Sequence, residues 1–148
     1  MTIKIDLSGH ASTSARAVLW FHSGFEFGNG RKATCYVRLR EAFLAQRIAI
    51  HSSCAGSFDV VDVKVGSCRV LADSTQFPAA HFAVAYELWP TPETHGPHRA
   101  VIPDDDFFRL GLPISGFCQA DDYVEITVRH LAGTPPAILE AIVLGGVI

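Results

Sequence analysis

The stretch "FDVVDVKV" from Phe58 to Val65 decides the fold class, because valine and phenylalanine favour β-strands and the run is too short for an ordinary helix. A strand with strict alternation divides it into two faces: Asp59, Val61, Val63 and Val65 on one, and Phe58, Val60, Asp62 and Lys64 on the other. Each face is then mostly apolar, with charge at its margin. We expect a central strand whose second face is covered, either by a neighbouring subunit or by the chain's own loops.

Strand patterns recur on both sides of this stretch. Clean alternation of apolar and polar residues marks three half-buried strands: Thr2–Leu7, Ala33–Arg40 and Tyr123–His130. Weaker strand patterns cover Arg16–Phe21, Gln46–His51, Cys68–Ala72, His81–Trp89 and Ala137–Leu144, and a short helical turn fits Arg40–Ala45. Eight or nine strands without a long helix predict an all-β fold: one antiparallel β-sandwich domain over residues 1–148, with a jelly roll as the expected architecture.

Two connections carry specific signals. "GNGRK" (Gly28–Lys32) contains the Asn-Gly pair of a tight hairpin turn. The connection from Pro90 to Gly116 is rich in proline and longer than ordinary loops. We expect an irregular segment there that is either functional, as a ligand-binding loop would be, or an insertion between sheets.

Composition favours self-association over nucleic-acid binding. The 148 residues are 49% hydrophobic and 18% charged, against about 25% charged in an average domain. The net charge of −3 is unevenly distributed. Residues 1–75 contain nine Lys/Arg and six Asp/Glu, whereas residues 76–148 contain three Lys/Arg and nine Asp/Glu. The most concentrated basic residues alternate with apolar ones, as on the wet side of a strand: Arg31, Lys32, Arg38, Arg40 and Arg47. We therefore expect no direct nucleic-acid contact.

We expect neither a signal peptide nor a membrane span, and the cysteines form no recognised motif. "MTIKIDLSGH" lacks the charged and apolar regions of a signal peptide, and no apolar run reaches the length of a membrane span. Four cysteines, Cys35, Cys54, Cys68 and Cys118, form no C-x-x-C pair. We expect buried free thiols in a reducing compartment.

Candidate metal ligands are sparse. "HGPH" places His95 and His98 three residues apart, with Glu93 as a third candidate, whereas a catalytic zinc usually takes three protein ligands. Two exposed loop histidines are the favoured interpretation. The acidic groups Asp104–Asp106 and Asp121–Asp122 lack EF-hand spacing. Solvated carboxylates, or partners for arginines across an interface, are favoured there over a calcium site.

The sequence contains no complete catalytic motif. "HSSC" (His51–Cys54) puts a histidine near a serine and a cysteine, but neither G-x-S-x-G nor a glycine-rich phosphate loop is present. The aromatic run "WFHSGFEF" (Trp20–Phe27), with Trp89, Phe107 and Phe108 further on, could stack on a carbohydrate, although core or interface positions are favoured. We assign no catalytic, cofactor-binding or metal-binding residue and expect a protein that is not an enzyme and needs no cofactor.

Two blocks carry a family resemblance: "FLAQRIAIHSSCAGSFDVVDVKVGS", and later "DDYVEITVRHLAGTPPAILEAIVLGGVI". Between Phe43 and Ile148 they resemble small β-rich virion proteins of bacterial viruses. The resemblance implies a capsid or capsid-associated component, found in the virion after assembly in the host cytoplasm. The N-terminus lacks the basic arm with which many single-jelly-roll shell proteins hold the genome.

Three functional hypotheses remain. The leading one is a structural protein that assembles with copies of itself or with other virion proteins. The second is a lectin-like binding module that uses the Pro90–Gly116 loop and nearby aromatic residues. The third is a metal-dependent enzyme that uses His95 and His98.

Overall fold

Two packed β-sheets make up most of the structure, a computed structural model that describes residues 2–7, 17–71, 77–84, 89, 92–93, 96–100 and 109–147. In chain order its strands are β1 (Thr2–Asp6), β2 (Ala17–His22), β3 (Lys32–Arg38), β4 (Phe43–His51), β5 (Phe58–Val65), β6 (Cys68–Arg69), β7 (Phe77–Pro78), β8 (Ala83–Val84), β9 (Pro92–Glu93), β10 (Gly96–Ala100), β11 (Leu112–Cys118), β12 (Tyr123–His130) and β13 (Glu140–Val147). Helical segments of the described part include α1 (Ser52–Ala55) and a 3-10 helix (Ala79–Phe82). The predicted all-β sandwich is confirmed.

The first sheet has the strand order β1-β3-β12-β5-β6, with β7 also beside β5. The second sheet has the order β11-β4-β13-β2, with β8 beside β4. Strands β9 and β10 form a separate ribbon. The described neighbours within both sheets run antiparallel, apart from β1 with β3 and β4 with β8, which are parallel.

The antiparallel pairs are nested along the chain. Strand β2 pairs with β13, β3 with β12, β4 with β11, and β5 with the short strands β6 and β7. This is the pairing of one long hairpin folded over into two sheets. As a result β2, β3, β4 and β5 alternate between the sheets, and so do β11, β12 and β13.

A β-bulge determines which face of β5 is buried. Strand β12 pairs Thr127 with Asp62 and Val128 with Val60, so Val61 is an extra residue on β5. The bulge shifts the alternation, and four apolar side chains, each 0% exposed, then face the core: Phe58, Val60, Val63 and Val65. The prediction of a central strand is confirmed. The prediction of two apolar faces is wrong, because it assumed strict alternation.

It is the second sheet that has two apolar faces. On the side away from the main core, a second buried cluster consists of Val18, Ala49, Val84, Leu110, Ile142 and Leu144. Trp20 and Trp89 pack against it. The Arg47 guanidinium donates hydrogen bonds to the carbonyls of Leu110 and Gly111, at 2.7 and 3.0 Å. The chain's own segments therefore cover this face of the second sheet, whereas the predicted cover concerned β5 in the first sheet.

Two local predictions fail. The helical turn proposed for Arg40–Ala45 is not formed, because β4 begins at Phe43. The Asn29–Gly30 turn is tight, with φ of 58° and 69° and a 3.1 Å hydrogen bond from the Arg31 amide to the Gly28 carbonyl. It closes no hairpin, however. Phe27 continues the pairing of β2 with β13 through Ala137, so this turn carries the chain from one sheet to the other.

The segment before β12 is more regular than predicted. The Pro90–Gly116 connection contains β9, β10 and the first residues of β11, while residues 101–108 lie outside the described ranges. Of the strand predicted over His81–Trp89, the described residues include the end of the 3-10 helix at Phe82 and β8, while residues 85–88 lie outside the described ranges. Among the residues that are described, no helix has the length and apolar character needed to cross a membrane.

Candidate functional site

Polar and charged side chains line the outer face of the first sheet, because alternate residues of its strands turn away from the core. This surface, which we call the polar face, consists of Thr2, Lys4, Lys32, Thr34, Tyr36, Asp59, Asp62, Lys64, Tyr123, Glu125, Thr127 and Arg129. Neighbouring strands are linked across it by the 2.8 Å hydrogen bond between the Thr34 and Thr127 hydroxyls and by the 4.0 Å ion pair of Lys64 with Glu125. The two depressions described below lie on this face.

The larger depression lies at the end of the polar face where β12 finishes. It has a volume of about 480 Å³ and is lined by Thr2, Asn29, Gly30, Arg31, Lys32 and Arg129. We call it the basic cavity. Strand register brings three of these residues side by side, because Lys32 on β3 pairs with Thr2 on β1 and with Arg129 on β12. The Asn29–Gly30 turn completes the wall.

The basic cavity has an excess of positive charge. None of the ion pairs formed among the described residues includes Arg31, Lys32 or Arg129. Asp59 is the cross-strand neighbour of Arg129 on β5, yet the two side chains form no ion pair. The Arg129 Nε is buried and has no hydrogen-bond partner in the described part of the chain. A buried donor left unpaired costs on the order of 1–3 kcal/mol, and more on a charged group.

A smaller depression is centred on two tyrosines. The rings of Tyr36 and Tyr123 meet edge to face, with centroids 5.7 Å apart. The depression has a volume of about 160 Å³, and Lys4, Thr34 and Glu125 complete its lining. Pockets that enclose small molecules usually exceed about 300 Å³. A ligand here would therefore touch the protein on one side only.

The predicted group of basic residues is divided by the fold. Arg31 and Lys32 line the basic cavity, whereas the Arg38 guanidinium lies 3.5 Å from the Asp121 carboxylate at the other end of β12. Arg47 belongs to the second sheet. Sequence reasoning missed Arg129: alternation in "YVEITVRH" put it on the wet side, but only the pairing of β3 with β12 places it opposite Lys32.

The candidate metal ligands mostly fall outside the described structure. Glu93 lies in β9 and His98 in β10, while His95 and Asp104–Asp106 lie outside the described residues. Within the described residues, no group of three His, Cys, Asp or Glu side chains is arranged to hold a metal ion.

The acidic pair before β12 has partners within the chain. Asp121 forms the ion pair with Arg38, and the Asp122 carboxylate accepts a 2.8 Å hydrogen bond from the Tyr123 amide. Asp121 also has a positive φ of 68°, which places it in the turn between β11 and β12. Asp121 therefore pairs with an arginine of its own chain and not across an interface as the sequence suggested, and both contacts stabilise the turn.

The "HSSC" segment has a structural role. The His51 Nδ1 accepts a 3.1 Å hydrogen bond from the Ser53 amide and so caps α1. The Cys54 thiol donates to the His51 and Glu140 carbonyls, at 3.4 and 3.6 Å. Burial raises the pKa of the Cys54 thiol, which keeps it protonated and a poor nucleophile.

Two further cysteines behave in the same way. Burial raises the pKa of Cys35 to about 12. Burial, together with the nearby Asp122 charge, raises the pKa of Cys118 to about 11. All four cysteines are free, and Cys68 alone of them is exposed. The expectation of buried free thiols is therefore confirmed for three of the four.

The aromatic run forms no carbohydrate-stacking platform. Phe21 and Phe27 are buried in the core, and Trp20 meets Trp89 edge to face at 6.3 Å over the second cluster. Phe25 remains 48% exposed. Phe107 and Phe108 lie outside the described ranges. The core interpretation is confirmed for Phe21 and Phe27, and the half-exposed tyrosine pair lies elsewhere, on the polar face.

Comparison of the chain with models of known protein families, with curated proteins and with solved structures finds no match. The basic cavity and the tyrosine depression therefore stand on their own geometry as candidate sites.

Proposed function

We propose that the chain is a structural, non-enzymatic subunit that assembles with copies of itself or with other virion proteins, as a capsid or capsid-associated component. The nested pairing of β2 with β13, β3 with β12, and β4 with β11 carries this proposal. It is the strand order expected of a jelly roll, an architecture that viral capsid and lectin domains use. A shared architecture does not establish a shared function. Support for assembly therefore has to come from the residues exposed at the surface.

Exposed apolar side chains lie at both ends of the sandwich. At one end, Phe25 and Ile138 are 48% and 41% exposed. They lie on adjacent segments, because hydrogen bonds join Ser23 to Leu139 on one side of them and Phe27 to Ala137 on the other. We call this the Phe25 end.

At the opposite end, Phe117 is 46% exposed. It pairs with Leu44 near the start of β4, where β13 finishes, whereas β13 begins beside His22 at the Phe25 end. We call this the Phe117 end. An eight-residue strand spans roughly 26 Å, so the two apolar spots are too far apart to cover each other within one molecule.

Apolar spots at opposite ends favour head-to-tail contact between subunits. Such a contact uses two different surfaces, and it produces rings when the rotation closes and extended lattices or fibres when it does not. Each contact would remove phenylalanine surface from water at about 25 cal/mol per Å². Two other features that could favour assembly are satisfied within one molecule. The outer apolar face of the second sheet is covered by the chain itself. The oppositely charged halves of the chain pair with each other through Arg38–Asp121 and Lys64–Glu125.

Light scattering over a concentration series, with negative-stain imaging, tests the proposal. We expect a mass that rises with concentration, and a smaller assembly for Phe25→Ser and for Phe117→Ser. Leu112→Ser is the matched control, because Leu112 is 39% exposed but pairs with Ile48 midway along β4. A wild-type protein that stays monomeric across concentration, pH and salt would refute the proposal.

A lectin-like binding module is the second candidate, favoured by the half-exposed Tyr36–Tyr123 pair on the polar face. Aromatic rings and nearby hydroxyls are the groups that bind sugars. A glycan array should then show hits that Tyr123→Ala removes and Phe25→Ser leaves unchanged. An array without hits would remove this candidate.

A further inference from the structure

We propose that the basic cavity is a binding site for a small oxyanion of the phosphate class, such as pyrophosphate or a phosphate monoester. This inference does not depend on self-assembly, because the cavity lies on the polar face and includes neither Phe25 nor Phe117.

The donors of the cavity converge from three elements. Lys32 and Arg129 are direct cross-strand partners, and the Thr2 hydroxyl belongs to the next strand along. Arg31 extends from the Asn29–Gly30 turn, whose backbone forms part of the wall. Lysine and arginine both bind phosphate, and the planar guanidinium can engage two oxygens at once.

The buried Nε of Arg129 points to a missing acceptor. This N–H is shielded from solvent and has no partner among the described residues. Structures rarely leave a buried donor unpaired unless a ligand, ion or water satisfies it. The same side chain lines the cavity, so an oxyanion bound there would neutralise the guanidinium, and a rotation of the side chain would let the anion accept this hydrogen bond.

Charge decides the class of ligand. Three cationic side chains and no carboxylate are among the described residues that line the cavity, which disfavours a metal cation and a neutral sugar. Asp59 lies on the far side of Arg129, on β5, and reduces the local charge without lining the cavity. The remaining excess suits an anion that carries two or more charges.

Size and surroundings favour a small anion over a nucleic-acid strand. The cavity volume of about 480 Å³ lies within the usual range for small-molecule sites. A nucleic-acid strand needs a continuous basic track. Beyond the cavity, however, the polar face mixes both signs, with Glu125 beside Lys4 in the tyrosine depression and Asp62 on β5.

Titration calorimetry on the full chain tests the site, with sodium pyrophosphate and glycerol phosphate as separate probes. We expect saturable binding of at least one probe, with the preference showing whether a free or an esterified phosphate fits better. Arg129→Gln and Lys32→Gln should each weaken binding about tenfold or more, the effect expected from losing one charge-assisted hydrogen bond. Arg40→Gln is the control for net charge, because Arg40 is exposed near the opposite end of β12 and should leave affinity unchanged.

Three results would overturn the proposal. The first is no saturable binding of either probe at millimolar concentration. The second is an equal loss of affinity in Arg40→Gln and in both cavity variants, which would mean unspecific attraction to net charge. The third is an oligonucleotide that binds more tightly than pyrophosphate and loses its affinity in the same two variants. Thermal unfolding of each variant shows that it is folded, and Lys32→Gln provides the test if Arg129→Gln does not fold.

Discussion

Gly111 lies where the covering segment presses against the second sheet. Its φ is 63°, and a Cβ at this position would meet the Ile48 carbonyl carbon at 2.6 Å and the Ala49 Cα at 2.8 Å. Since neither backbone atom can move away cheaply, we expect Gly111→Ala to destabilise the protein by about 3 kcal/mol. Urea unfolding measures the change.

Gly56 is the matched control for this substitution. Its φ is −73°, and a Cβ there has no neighbour within 4 Å. Gly56→Ala should be neutral or stabilise by up to about 1 kcal/mol, because it restricts the unfolded chain only. Equal losses in the two variants would contradict the close approach described for Gly111.

Because its thiol is buried, Cys35 makes the free energy of unfolding vary with pH in the alkaline range. Burial raises its pKa from an ordinary value of 9.0 to about 12. Between these values the unfolded chain releases the proton and the folded chain keeps it, so stability is complete below pH 9 and falls as pH rises. The wild type should lose about 1.4 kcal/mol per pH unit more than Cys35→Ala in this range. Urea unfolding at several pH values measures the two slopes.

The exposed thiol Cys68 supplies the control for that slope. Cys68→Ala should follow the wild-type pH dependence, because Cys68 is exposed on β6. The buried thiols Cys54 and Cys118 also have raised pKa values, but they are common to all three proteins. Identical slopes in the wild type and Cys35→Ala would show that the thiol is not shielded in the folded protein.

At the scale of single elements, the bulge in β5 predicts which deletions the strand tolerates. Deleting Val61 makes Thr127–Asp62 and Val128–Val60 consecutive pairs and leaves the inward side chains in place. We expect a folded protein with the same sheet content. Deleting Val63 instead turns Asp62 toward the core, so that variant should lose far more stability. Circular dichroism and thermal unfolding of the two deletions measure the difference.

The same bulge is a feature that could not be predicted from the sequence, although the bounds of the strand could. Strands Phe58–Val65 and Tyr123–His130 have the predicted bounds, because their composition and alternation reflect burial directly. The bulge at Val61 depends on the partner strand, and the charges of β5 did not reveal it. Strand β11 was missed because "LPISGFC" contains a proline and a glycine, residues that edge strands and bulges accept.

At the scale of the whole molecule, contact between unlike ends predicts complementation. Phe25→Ser keeps the Phe117 end intact, and Phe117→Ser keeps the Phe25 end intact. Each variant alone should remain small, whereas an equimolar mixture should form a heterodimer and grow no further. Light scattering of the mixture measures this. If the contact instead joined two copies of the same end, only the variant altered at that end would lose assembly. Mixing the two variants would then form no heterodimer.

The candidate site likewise depends on the fold of the whole molecule. Alternation identified Arg31, Lys32, Tyr36 and Arg129 as wet residues, so its components were visible in the sequence. Their grouping was not, since it follows from β12 lying between β3 and β5. The jelly-roll expectation rested on strand number alone, and pairing between distant segments is what gives it support.

The nested pairing also bears on how the chain acquires its structure during synthesis. Strand β2 obtains its only described ladder from β13, which lies near the other end of the sequence. No early segment can therefore complete its sheet while later residues are still being translated. Contacts between such distant positions slow folding, and the apolar edges that wait for partners are open to aggregation in the meantime. Loss of β13 would leave β2 and β4 without their shared neighbour, so β13 decides whether these two earlier strands become stable.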